Sequence, residues 1–302
     1  QLQARARRNL VLTGVANSSR QLVVPHGLEP ADVPGFLARQ APRRNDQELL
    51  DALDASGAAH RVIVDATASL EVARRHPVWL AGGYHVVTAN KALNGGSLAD
   101  WHAIERAARA GDVHYGASAT VGAGLPVIDT LRRWKACGDR LTAIEGVFSG
   151  SLSWLLNRFD GTRPFSRLLD EASHTGYCEP DARRDLDGSD VLRKLLILAR
   201  TAGIELEEGE VTVESLVPES LRDVDGERFR AEIGQLDHGM ARRQDEAAHE
   251  GRVLRYLARL DASGARVGLH KVDPAHPAAQ LGGTENLFVL SSACYDDPPL
   301  II

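Results

Sequence analysis

Between Arg61 and Gly116 short apolar runs alternate with helical stretches, and this rhythm limits the fold more than any other feature of the chain. RVIVDAT (Arg61–Thr67) is a continuous apolar run, the pattern of a strand covered by helices on both faces. Ser69–Gly82 reads as helix with a break at Pro77, whose ring does not fit a helix interior. YHVVTAN (Tyr84–Asn90) is the next strand, Leu98–Ala110 a helix, and Val113–Gly116 a strand. Strands alternating with helices pair in parallel through right-handed crossovers. Upstream, LVLTGVA (Leu10–Ala16) reads as a further strand after the tail of a polar helix, Gln1–Asn9, and a helix is expected over Asp46–Ser56. A dinucleotide-binding unit opens strand–GxGxxG–helix, with the glycines seating the pyrophosphate. No GxGxxG occurs in the 302 residues, so LVLTGVA corresponds to a second strand. The turn after it, Asn17-Ser18-Ser19-Arg20, carries no acid to hold ribose hydroxyls and does carry an arginine, which tilts a dinucleotide site toward NADP over NAD.

The second informative stretch is Gly176–Lys194, GYCEPDARRDLDGSDVLRK, where five acids and four basic residues run directly into LLILA. Charged groups are normally kept off core-bound segments. Asp187 is the expected N-cap, with Asp190 placed as a capping-box acid. Asp190 and Lys194 are four apart and share a helix face. Val191, Leu192, Leu195, Leu196, Ile197 and Leu198 leave little polar face, so the helix is expected to be buried nearly all round. That would set Lys194 at the start of a buried helix, near Glu179 and Asp185. An ordinary surface ion pair accounts for the same spacing.

These segments closely resemble the homoserine dehydrogenases, in particular the dehydrogenase part of bifunctional aspartokinase–homoserine dehydrogenases. GYCEPDARRDLDGSDVLRK, TANK (Thr88–Lys91) and TVGAGLPV (Thr120–Val127) carry the resemblance, in this order and at these separations. It implies an α/β fold, a Rossmann-like parallel sheet with an inserted α+β substrate and dimerisation domain, and a first strand with its glycine loop directly upstream of Gln1. It also implies interconversion of L-aspartate 4-semialdehyde and L-homoserine with NADP or NAD, in threonine and methionine biosynthesis. Lys194 and Lys91 would be the catalytic groups, since a lysine can donate a proton at the aldehyde oxygen or stabilise the alkoxide. Glu179 and Asp190 would bind the substrate ammonium or orient the lysine, with Asp185 in support. Asn17, Ser18, Arg20, Thr67 and Lys91 would border the cofactor. Backbone carbonyls of Val121, Ala123 and Leu125 would seat a sodium ion, although Ser118 stands where relatives offer a glutamate. The same letters read as a plain glycine turn entering a helix over Leu125–Ala136. Arg184 departs from a second aspartate found in relatives.

The pattern changes near Leu141. Leu141–Gly150 reads as strand, Ser151–Phe159 and Phe165–His174 as helices, Val211–Val217 as strand and Phe229–Glu250 as one long polar helix. VLRYLARLDASGARVGLHKVDP reads as two strands joined at Ser263-Gly264. The implied division is residues 1–138 for nucleotide binding, 139–284 for substrate and dimerisation, and 285–302 returning toward the first domain. A homodimer joined between about Leu141 and Asp273 is expected. Hydrophobic content of 43% and charged content of 25% suit a globular chain, and a net charge of −6 gives no pull toward nucleic acid or anionic membranes. No apolar run approaches the ~20 residues of a spanning helix. Cys137, Cys178 and Cys294 are odd in number and far apart, as expected of reduced thiols in a cytoplasmic protein. The competing reading is a non-catalytic Rossmann-like module without the pyrophosphate loop. Two lysines and an intact acidic cluster speak against it.

Overall fold

The structure is a computed structural model that describes residues 9–31, 33–35 and 41–302. The polar helix expected over Gln1–Asn9 thus falls outside the described residues except for Asn9. A parallel sheet forms where the rhythm placed it, from β3 (Val62–Asp65), β4 (His85–Thr88) and β5 (Tyr115–Gly116), in that order. The connecting helices are α2 (Leu70–Ala73), α3 (His76–Ala81) and α4 (Leu98–Ala110). The break expected at Pro77 is real: Pro77 sits in the first turn of α3, where its missing N–H costs nothing. Val72, Trp79, Leu80, Val86 and Ile104 form the core of this part. Its other face differs from expectation. Val64 is 69% exposed, and Val62 and Val87 are also exposed, so no described helix covers that side of the sheet.

LVLTGVA does not extend the parallel sheet. Its strand is reduced to β1 (Gly14–Ala16), which pairs antiparallel with β2 (Gln21–Val23). The cause is local: Asn17 Oδ1 accepts from Ser19 N (2.9 Å) and Arg20 N (2.7 Å), folding the chain back on itself. Helix α1 (Asp46–Ala55) packs on this hairpin.

The larger part is a six-stranded sheet in the order β11 (Leu300–Ile301), β10 (Leu287–Ser292), β6 (Leu141–Val147), β8 (Val253–Asp261), β9 (Gly264–Val272) and β7 (Val211–Val213). All pairs are antiparallel except β7 with β9. After residue 285, β10 therefore pairs directly with β6, and β11 extends the sheet on the far side of β10. Leu254, Tyr256, Ala258 and Leu260 alternate toward one face, which is covered by α5 (Val127–Ala136), α6 (Gly150–Arg158), α7 (Phe165–His174), α9 (Ser189–Thr201) and α11 (Gln235–His249). A short α8 (Arg183–Leu186) precedes α9. The expected long helix is interrupted at Ile233–Gly234 into α10 (Gly226–Glu232) and α11, and the strand at Val211 stops before Glu214.

Helix α9 is buried on every side except at Arg193, with Ser189, Asp190 and Lys194 half-buried. Its start corrects the capping expectation. The N-cap is Gly188, at φ 80°, and no side chain caps the helix. A Cβ at Gly188 would stand 2.2 Å from the Tyr256 hydroxyl, so neither the backbone conformation nor the space admits a larger residue. Asp187 instead accepts from Ser189 N at 2.7 Å. Asp190 is thereby left free of capping duty.

Candidate active site

Strand β4 ends in Thr88, and the TANK turn carries Lys91 out beyond its carboxyl end, where ligands of open α/β sheets bind. The turn is pinned from below. Asn90 Nδ2 donates to Asp65 Oδ2 (2.9 Å) and Ser69 O (2.9 Å), and Asn90 N donates to Thr88 Oγ1 (2.8 Å). Asp65 also receives His76 Nε2 at 2.9 Å, and His76 Nδ1 lies 3.2 Å from the Tyr115 hydroxyl. Burial lowers the His76 pKa, although Asp65 pulls it the other way, so the imidazole is neutral at pH 7. Burial, reinforced by the charge of Asp65, raises the Tyr115 phenol. This Asp65–His76–Asn90–Tyr115 network was missed by sequence reasoning. Its one signal was an acid closing the apolar run VIVD, a place where an unpaired charge is not tolerated.

Lys91 meets the second part of the molecule through Asp190. Its Nζ lies 3.4 Å from Asp190 Oδ1, and Lys194 Nζ lies 2.6 Å from Asp190 Oδ2. Lys194 Nζ also donates to Phe148 O at 2.7 Å. Phe148 is itself fixed by stacking on Phe288. Burial pushes the Asp190 carboxyl up, but Lys194 and Lys91 together pull harder and hold it below its ordinary range. Two ammonium groups thus share one carboxylate, and the cluster keeps a surplus positive charge. A lysine has three N–H donors, so Lys194, with two acceptors among the described residues, retains one for a ligand.

Glu179 and Asp185 do not reach Lys194. Asp185 accepts from Ser151 Oγ (2.6 Å) and from Glu179 N (2.8 Å), bracing the acidic loop against α6. Burial raises the Asp185 carboxyl despite those two hydrogen bonds. The Glu179 side chain is exposed and opens onto a cavity of about 430 Å³ lined by Asp181, Arg183, His174 and Arg230. Arg184 is exposed. Cys178 carries a thiol pushed up to about 12 by burial and by Asp185, as suits an inert residue.

The remaining expected positions fall in two places. Thr67 joins the TANK turn, its Oγ1 3.4 Å from Asn90 Nδ2. Asn17, Ser18 and Arg20 lie on the β1–β2 turn, where Arg20 is exposed and its Nη1 donates to Ala41 O at 2.6 Å. The turn Val121–Leu125 is left-handed at Gly122 and Ala123, and Ser118 Oγ donates to Asp129 at 3.0 Å. No group of three or more His, Cys, Asp or Glu among the described residues is arranged to hold a metal, and no described helix is long and apolar enough to cross a membrane.

A parallel sheet with lysine at its carboxyl edge, joined to an α+β part that completes the charge cluster, defines a two-part α/β protein class. Residues 1–116 match the family model described as "Homoserine dehydrogenase, NAD binding domain", and residues 126–302 match "Homoserine dehydrogenase". The chain belongs to the homoserine dehydrogenase family, whose members are NAD(P)-dependent oxidoreductases. It is 39% identical over 302 residues to bifunctional aspartokinase/homoserine dehydrogenase 2 of Escherichia coli (strain K12), covering 100% of this chain and 37% of that protein. It is 40% identical over 254 residues to a homoserine dehydrogenase of Paracoccidioides brasiliensis (strain Pb18), covering 80% of this chain and 68% of the relative. A crystal structure of a Candida auris protein of unknown function superimposes with a TM-score of 0.87 at 33% identity, covering 97% of this chain and 84% of that one. The chain spans about a third of the length of the bifunctional relatives it matches.

Proposed function

We propose that this chain catalyses the NAD(P)-dependent interconversion of L-aspartate 4-semialdehyde and L-homoserine. The observation that carries the reading is the convergence of Lys91, Asp190 and Lys194 at the carboxyl edge of the parallel sheet, in a chain of this family. When bound, the nicotinamide dinucleotide supplies or accepts the hydride. Toward homoserine, a lysine ammonium donates a proton to the aldehyde oxygen as negative charge grows there, and Asp190 keeps both ammonium groups in place. Toward the semialdehyde, the same amine takes the hydroxyl proton. Glu179, exposed above the cavity, and Asp185, which fixes the Glu179 backbone, support recognition of the substrate ammonium. The non-catalytic reading has no use for two lysines focused on one carboxylate.

The β1–β2 turn favours NADP. Arg20 is an exposed cationic fork beside Asn17 and Ser18, with donors beyond its bond to Ala41 O among the described residues, and the turn holds no carboxylate to repel a 2′-phosphate. A sodium ion on the carbonyls of Val121, Ala123 and Leu125 belongs to the same reading, supported by the tight left-handed turn there. Turnover unchanged in sodium-free choline buffer would remove it. Residues 1–138 are taken as the nucleotide part and 139–284 as the substrate and dimerisation part, in a homodimer with the nucleotide parts outermost. An open sheet face carrying Glu145, Arg259 and Arg266 supports pairing through this half. Arg255 is buried and donates to Ala278 O at 2.8 Å, so its charge does not blunt a sheet edge. Light scattering at micromolar concentration tests the dimer, and a mass near 32.6 kDa would overturn it. The three scattered thiols are consistent with the cytoplasm as the compartment. The activity itself is tested by following nicotinamide absorbance with each substrate and each dinucleotide. Silence in both directions with both dinucleotides would overturn the assignment.

A further inference from the structure

Lys91 and Lys194 stand on different parts of the molecule, and Lys91 rides on a loop. We propose that Arg200 is a positioning residue: its guanidinium latches the Lys91 loop to helix α9 and so sets where Lys91 meets Asp190. The catalytic half of this proposal rests on the dehydrogenase reading; the latch itself does not.

Arg200 lies near the carboxyl end of α9, less than two turns beyond Lys194 on the same rigid element. Its side chain is fully buried, and its fork spans two directions. On one side Nη1 donates to Gly96 O (2.8 Å) and Asn94 O (3.3 Å), the backbone of the loop that follows Lys91. On the other side Nε and Nη2 donate to Leu206 O at 3.0 and 2.8 Å. Nη2 also reaches Glu207 Oε2 at 3.3 Å, while Glu207 Oε1 accepts from Leu98 N (2.9 Å) at the start of α4. The guanidinium therefore closes a ring through α9, the Lys91 loop and the start of α4.

The loop has been shaped for this seat. Gly95 N returns to Lys91 O (2.9 Å) and Gly96 N to Leu93 O (3.0 Å). The backbone at Gly95 lies flat on α9, and a Cβ there would stand 2.9 Å from both Arg193 Cβ and Lys91 O. A planar fork with five fixed donors serves carbonyls on opposite sides, which a single ammonium does not. Removing it would strand the carbonyls of Asn94, Gly96 and Leu206 in a buried place. Lys91 approaches Asp190 at 3.4 Å, near the outer limit of a useful polar contact. A loop displacement of about 1 Å is enough to cost a large factor in rate. Arg200 would thus act on the reaction without approaching the reacting atoms.

The test uses the full chain with Arg200→Met, which keeps apolar length and removes the fork, and Arg200→Lys. Hydrogen exchange at the amides of Gly95, Gly96 and Leu98 should quicken by roughly tenfold or more in Arg200→Met while the β8–β9 amides stay unchanged. Arg200→Lys should restore part of that protection. In the same protein kcat should fall by about ten- to a hundredfold with little change in KM. In a Lys91→Ala background, Arg200→Met should cost nothing further. Unchanged exchange at those three amides would overturn the latch, and a full additive loss in the Lys91→Ala background would overturn its action through Lys91. Should Arg200→Met fail to fold, Gly95→Ala displaces the same loop with Arg200 intact, and an undiminished kcat in that variant would overturn the proposal. If the wild-type chain turns over neither substrate, the dehydrogenase reading falls while the exchange comparison still decides the latch.

Discussion

Two polar clusters sit within one turn of chain from each other at the end of β4, and they are built on opposite principles. Asp65, His76, Asn90 and Tyr115 form a closed network: the Asp65 and His76 side chains are wholly buried, and each polar atom that faces inward has a partner. Lys91, Asp190 and Lys194 form an open one, with the carboxylate 40% exposed and an ammonium donor to spare. The first holds one negative charge among neutral donors, which makes it a rigid footing. The second holds two positive charges against one negative, which makes it reactive toward a developing oxyanion. A buried, satisfied charge fixes geometry, whereas a half-exposed, unbalanced one remains available to a ligand.

The largest effect should come from the open cluster. Lys194→Ala and Lys91→Ala are each expected to lower kcat by about two to four orders of magnitude with little change in melting temperature. A variant of either lysine with near-full turnover would remove that residue from the chemistry. Asp190→Asn should follow with about a hundredfold loss of kcat, because it releases both ammonium groups at once. Glu179→Gln should chiefly raise KM for homoserine, and an unchanged KM would make Glu179 a structural residue.

The closed cluster should answer in stability. His76→Leu is expected to cost about 3 kcal/mol in urea unfolding, since it deprives a buried carboxylate of a donor. A loss below about 1 kcal/mol would mean that Asp65 is satisfied without it. His76 also gives the cluster a pH signature. Its folded pKa is depressed below the free value of about 6.5, so the unfolded chain binds more protons beneath that pH and stability declines as pH falls through it. His85 and His270 are shifted in the same direction, so the informative quantity is the slope relative to His76→Gln, which keeps a donor for Asp65 and does not titrate. An identical slope between pH 7.5 and 5.5, a window spanning roughly one unit each side of that free value, would show that the fold leaves the His76 pKa where it stands in the unfolded chain. The smallest effect, about 1 kcal/mol, is expected for Tyr115→Phe, which removes one neutral hydrogen bond to His76.

Much of this molecule is written in local pattern. Helices α4 and α7 begin and end where their letters place them, the Pro77 break and the β8–β9 hairpin are where expected, and Asp190 meets Lys194 because four residues make about one helical turn. Such features depend on neighbours in the chain, and periodicity reports them. The N-cap of α9 was misread because Asp187 is a good capping residue in isolation. The approach of Tyr256, from a strand far along the chain, reserves the position for Gly188. Likewise LVLTGVA has the composition of a sheet strand, but the Asn17 turn folds most of its pairing back into a hairpin.

The sequence by itself determined most of the strands and helices, which helix is buried, and that Asp190 and Lys194 share one helix face. The tertiary structure alone decided that Lys91 and Lys194 share Asp190, that Asp65 is satisfied by hydrogen bonds from His76 and Asn90, and that Arg200 binds the Lys91 loop. A hydrophobic pattern states that a face must be buried without naming what will cover it. The partners of a charge are therefore fixed only when strand order and helix packing bring distant segments together.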